Sequence, residues 1–192
     1  MLASRIERLP MGRQVLLGAL ASARFVPLAV DNELTGGLSL PPAMVAGMLA
    51  LHQDPVGFAR APAPAGMGRA IFDWLGQFED EPESREYWPY QAAVIVELMM
   101  RSRSIDVPTE PVLSMLEYCA DFAYFMDESL DDSTCEDAEK AYWADVVSRL
   151  ERERLTDEAL ADVGRATSED SLRILEIARS VARLDDERAG QA

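Results

Sequence analysis

Apolar residues recur along nearly the whole chain at the three- and four-residue spacing of helices, and alternating runs rich in Val, Ile and Thr are absent. The pattern predicts an all-α fold. From about Pro10, Val15, Leu16, Ala19, Leu20 and Ala23 share one face of an opening helix, which Pro27 is expected to kink or end. Gly36-Gly37 marks a turn. Ser39 stands where it can cap a second helix, whose first turn tolerates Pro41 and Pro42 and whose apolar positions are Met44, Val45, Met48 and Leu49, with His52 after them. The stretch from Asp54 to Gly68 holds three Pro and three Gly and reads as a connector within one domain.

Asp80 with Glu83 resembles a capping box and introduces a long helix from about Glu83 to Arg103. Its segment Ala92 to Val96 is apolar on all sides, as in a helix covered by neighbours on several faces. Thr109 is the expected cap of the next helix, in which Val112, Met115, Leu116, Cys119, Phe122, Ala123, Met126 and Leu130 form a buried stripe opposite Glu117, Asp121 and Glu128. Ser133 and Glu136 form an S-x-x-E signature for a helix bearing Trp143, Val146, Val147 and Leu150. Thr156 and Thr167 are expected to cap two more, and the tail, 185–192, to fray. Seven to nine helices result. They imply a compact multi-helix bundle, or an armadillo-like array of stacked helix pairs, over 1–192 as a single domain.

Charge narrows the choice of partners. The chain has 34 acidic against 18 basic residues, a formal charge of -16 and an isoelectric point near 4.4. Such a field repels nucleic acid directly and anionic membranes as well, and it favours a basic protein or a cation. Homo-oligomer formation is compatible with it. All the bases except Lys140 are Arg, a skew that suits a GC-rich bacterial genome. The two cysteines, Cys119 and Cys135, form no disulfide framework, so a reducing cytoplasm is the expected setting. Met1 to Leu20 lacks a signal-peptide layout. The longest apolar run, Ala92 to Met100, is interrupted by Glu97 and falls short of the ~20 residues of a membrane span.

No catalytic, metal or cofactor motif emerges. His52 is the sole histidine, and its neighbours offer no triad or metal partner, so it reads as structural. Cys135 near a helix start is surrounded by Asp131, Asp132, Glu136 and Asp137, which oppose a thiolate, and Cys119 reads as core. Gly66-Met67-Gly68-Arg69 lacks the strand and third glycine of a phosphate loop and reads as a helix entry. Glu97, with Glu117 and Asp121, could supply oxygen ligands to a cation or act in a small helical enzyme, although Glu97 is better placed to pair with Arg101 one turn on.

The acids are concentrated. Between Asp106 and Asp145 twelve acidic residues face Lys140 alone, with Tyr118, Tyr124, Tyr142 and Trp143 interspersed as candidate interface anchors. Asp127, Glu128, Asp131, Asp132, Glu136, Asp137 and Glu139 form the expected docking face for a basic partner. A third possibility is a DNA mimic, which requires an elongated rather than clustered array of carboxylates.

The run from Arg8-Leu9-Pro10 to Arg24-Phe25-Val26-Pro27-Leu28, followed by Glu33, resembles the opening of the YjaG-like family of all-helical bacterial proteins of unknown function. The alanine-rich segment Gln91 to Met100 is similar too, whereas Leu51-His52 stands where a Trp would be expected. The resemblance implies a fold and no catalytic residue. In size, helicity and acidity the chain also resembles immunity proteins, which implies a non-enzymatic inhibitor of a basic toxin or nuclease.

Overall fold

The computed structural model describes residues 2–82, 86–104, 108–130, 134–152 and 154–189. Among them are ten helices and no strand. They are α1 (Leu2–Ile6), α2 (Met11–Val30), α3 (Asn32–Thr35), α4 (Pro42–Gln53), α5 (Pro55–Arg60), α6 (Met67–Leu75), α7 (Tyr87–Ser102), α8 (Thr109–Leu130), α9 (Cys135–Leu150) and α10 (Asp157–Ala189). The all-α expectation holds, and the short helices α1, α3 and α5 raise the number above nine. α5 lies inside the expected connector because Asp54 accepts a hydrogen bond from the Gly57 amide while Pro55 fits the first helical turn.

The centre of the bundle is α2. It packs against α7 and α10, remote in sequence, and against α4, α5 and α8. Packing about one central helix is not the neighbour-only stacking of a repeat array. By length and composition alone α2 could cross a membrane, but 83% of its apolar window is buried inside the protein, which marks it as the core helix. α7, expected to be covered by neighbours on several faces, packs chiefly on α2 and lies between it, α6 and α8.

Pro27 neither ends nor interrupts α2, which continues to Val30. A proline lacks the N–H that would bond the carbonyl four residues back, here that of buried Ala23. His52 on α4 fills the gap. Its Nδ1 lies 2.9 Å from the Ala23 oxygen, and because a carbonyl only accepts, Nδ1 carries the proton.

Three expected caps are replaced by other devices. α4 begins at Pro42 without a cap from Ser39. Thr109 lies inside α8, where its hydroxyl donates to Gln14 Oε1 at 2.7 Å. Thr156 does cap α10, through the Ala159 amide, but Thr167 starts no new helix: its hydroxyl bonds the Val163 carbonyl within the same 33-residue rod. That rod continues through 185–189, part of the tail expected to fray. Glu83 and Ser133, of the two remaining capping signatures, lie outside the described residues.

Candidate docking face

α8 buries Val112, Met115, Cys119, Phe122 and Met126 toward its neighbours. The opposite side is forced outward. Glu110, Ser114, Glu117, Asp121, Tyr124 and Glu128 are all exposed and follow one another at alternating four- and three-residue steps, one continuous stripe. At 1.5 Å per residue it extends roughly 27 Å. Tyr124 is 51% exposed and donates from its hydroxyl to Glu128 Oε1 at 2.8 Å. That hydrogen bond, with the Glu128 charge, raises the phenol above its ordinary range, so Tyr124 stays protonated at neutral pH.

The seven residues expected to form the docking face do not all reach it. Asp127 and Glu139 are only 5% and 2% exposed, which removes both from any contact surface. Asp127 reaches from α8 to the start of α9, where its two oxygens accept the Cys135 and Glu136 amides at 2.8 Å each, so α9 is capped from eight residues away. Burial opposes its ionisation, but the amides of Glu136 and Cys135 outweigh it and hold the carboxyl below the usual range. Glu136 pairs with Lys140 at 2.5 Å. Glu128 and Asp137 are exposed as expected, while Asp131 and Asp132 lie outside the described residues.

Glu139 faces a charge that the sequence reading missed. Arg24, on α2, is fully buried; its Nη1 and Nη2 donate to Glu139 at 2.9 and 2.5 Å, and its Nε donates to Asp170 Oδ2 at 2.5 Å. Trp143 Nε1 donates to Glu139 Oε1 at 2.7 Å, and the Tyr142 ring covers the guanidinium with its centroid 3.8 Å away. The Tyr142 hydroxyl meets Thr167 at 2.9 Å. Tyr142 and Trp143 are therefore walls of a buried clamp joining α2, α9 and α10, not interface anchors. Burial disfavours the Arg24 charge, but attraction to Glu139 exceeds it and pushes the guanidinium above its ordinary value. All three nitrogens are engaged and the side chain is fully buried, so the guanidinium is not presented to a substrate. The signal available in the sequence was a charge, Arg24, in the apolar interior of a helix whose other arginine, Arg13, lies in the first turn; such a charge must find a partner if the helix is central.

The remaining candidates do not assemble. Glu97 pairs with Arg101 at 2.5 Å and lines a groove with Phe72 and Pro111, whereas Glu117 and Asp121 point outward from α8. Among the described residues no three His, Cys, Asp or Glu side chains are grouped to hold a metal ion. Both cysteines are buried, and burial pushes the Cys119 thiol well up. Gly66, in left-handed conformation, leads into α6, a helix entry as read from the sequence.

Comparison with protein families, with characterised proteins and with solved structures finds no match. The α8 acids follow one another along one exposed helix face. Ion pairs engage acids on α3, α6, α7, α9 and α10, yet among the described residues none engages Glu110, Glu117, Asp121 or Glu128.

Proposed function

We propose that this protein is a non-enzymatic interaction protein of immunity or inhibitor type, which meets a basic toxin or nuclease in a bacterial cytoplasm through the acidic stripe of α8. The observation that carries the reading is the stripe itself: four carboxylates and a half-exposed tyrosine in file along one exposed helix face, with none of the four in an ion pair among the described residues. Uncompensated charge of one sign on a rigid element raises the rate and selectivity of meeting an opposite field. We also propose kinship with the YjaG-like family, on the run Arg8 to Leu28 that leads into and forms most of the central helix.

The layout gives weight to one variant of this reading. An elongated file of carboxylates suits mimicry of a nucleic-acid backbone, so the partner's nucleic-acid groove is the surface the stripe would occupy.

The test replaces Glu110, Glu117, Asp121 and Glu128 with Gln or Asn. A partner recovered from the native host with the unaltered protein is identified by mass spectrometry, and both forms are titrated against it calorimetrically at salt below and above ~0.15 M, where the Debye length is about 8 Å. Affinity should fall about tenfold or more at low salt, the difference should shrink as salt rises, and DNA should compete if the groove is the target. An unchanged affinity at low salt removes the stripe from the mechanism.

A further inference from the structure

Beside the acidic stripe lies a small cavity of about 200 Å³ lined by Glu81, Tyr87, Gln91, Tyr118, Asp121, Phe122 and Phe125. Its walls are aromatic on two helices. Tyr87 from α7 stands 5.4 Å from Phe125 and 6.4 Å from Phe122, centroid to centroid, and the two phenylalanines of α8 stack at 6.3 Å. Its rim is acidic: Glu81 and Asp121 are both exposed, and Asp121 is also a member of the α8 stripe. Among the described residues no arginine or lysine lines it.

The polar atoms in the cavity are fixed by one buried side chain. Gln91 accepts the Tyr118 hydroxyl at 2.5 Å and donates its amide to Glu81, so the phenol and the carboxylate are held on the same wall. Burial first, and the Glu81 charge second, push both Tyr87 and Tyr118 well above the ordinary phenol value, so both rings stay neutral and lie within the field of that carboxylate. Electron-rich ring faces beside carboxylates attract a cation whose own hydration is weak, and a guanidinium meets that description better than an ammonium. The volume is below the ~300–1,000 Å³ of pockets that take drug-sized ligands, which suits a single side chain.

We propose that this cavity receives an arginine side chain of the basic partner, with the guanidinium against Tyr87, Phe122 and Phe125 and hydrogen-bonded to Glu81 and Asp121. The inference rests on the docking reading above and deepens it. The stripe supplies long-range attraction without preference for one cation, and the cavity adds a desolvated contact that distinguishes arginine from lysine.

The test needs no partner. Acetyl-arginine amide, acetyl-lysine amide with a free side-chain ammonium, tetramethylammonium and acetyl-citrulline amide are titrated into the whole protein at low salt, and NMR follows the Gln91 side-chain amide and the indole of Trp88, which packs edge-on against Tyr87 and Phe122. The arginine probe should shift both saturably and bind several-fold tighter than the lysine probe, with citrulline, which has the same shape without the charge, producing no saturable shift. Phe125→Leu and Asp121→Asn should each weaken arginine about tenfold, and an unchanged thermal transition in either variant confirms that the fold is intact. Tetramethylammonium binding tighter than arginine overturns the proposal in favour of a small quaternary ammonium ligand. Equal citrulline binding, or no saturable shift with arginine, overturns it outright. In that case the stripe reading still stands or falls separately, on the partner titration of the four-residue variant.

Discussion

Replacing Arg24 with methionine isolates the buried clamp. Methionine fills similar volume without charge, so Glu139 is left buried with Trp143 as its remaining hydrogen-bond donor, and Asp170 keeps Arg173 at 2.9 Å. Breaking a buried pair by removing one partner costs about 3–5 kcal/mol. Protonation sets a second limit. Neutralising a carboxyl whose unfolded pKa is about 4.3 costs roughly 3–4 kcal/mol at pH 7 and about 1.4 kcal/mol less for each pH unit below that. The deficit should therefore be about 3–4 kcal/mol at pH 7, shrinking toward pH 5. The sign is fixed by linkage: in the variant the folded state binds the extra proton, so its stability rises relative to the unaltered protein as pH falls. Urea unfolding followed by Trp fluorescence reads this as a midpoint lowered by about 1–2 M at pH 7. Arg24→Met/Glu139→Gln should recover most of the loss, because no unpaired buried charge remains and the glutamine oxygen still accepts from Trp143. The clamp is refuted as a structural device if Arg24→Met moves the midpoint by less than about 0.3 M, or if the double variant is no more stable than the single one.

Two further predictions follow from single contacts. His52→Leu should cost about 1–3 kcal/mol by leaving the buried Ala23 carbonyl without a donor. Pro27→Ala should largely abolish that cost by restoring the helical N–H, and a double-mutant cycle on urea midpoints checks it, with additive effects counting against the account. Asp127→Ala should destabilise by about 1–2 kcal/mol at pH 7 through loss of the α9 cap. Because the Asp127 carboxyl is depressed below 3.8 in the folded state, its contribution is complete above that value and is lost as pH falls through the folded value. Acid titration of stability in the two proteins should converge at low pH, and a constant gap down to pH 2 would show that the ionised carboxylate is not the cap.

Where the sequence was legible, two signals agreed. The apolar stripe of α8 and the turn at Gly36-Gly37 were marked both by residue type and by spacing, and both stand where expected. Misreadings arose where a polar residue has a partner that its residue type alone does not announce. Thr167 has the residue type of a cap, but its hydroxyl has an acceptor one turn back, and the inward stripe Leu160, Val163, Thr167, Ser171, Ile174, Ala178 and Val181 passes through it unbroken. Asp127 and Glu139 look like neighbours of Glu128 and Asp137 in a charge run, yet helical rotation turns them inward, onto the first amides of α9 and onto Arg24. Periodicity alone contained that information: 119, 122, 123 and 126 are buried on α8, and 127 continues their face. The cavity beside Asp121 was not legible, since it joins residues from Glu81 to Phe125 through the contact of α7 with α8.

The distribution of charge separates holding the fold together from meeting a partner. Arg24, Arg179 and Arg183 tie α10 or α9 to α2 and α3 through Glu139, Asp170, Asp31 and Glu33, so these cations are committed to pairs between helices. The α8 stripe receives none of them among the described residues. Adjacent carboxylates on it are separated by roughly 6–10 Å along the axis, a mutual repulsion of about 0.4–0.7 kcal/mol in water before salt screening. Acidity needed only for solubility could be spread over α4 to α6, where acids are few, without that cost. A repulsive file on one exposed helix makes physical sense where an opposite charge relieves it. Neutralising the stripe should accordingly leave folding unchanged or slightly firmer while weakening association, and that opposition of sign distinguishes a docking surface from solvated charge.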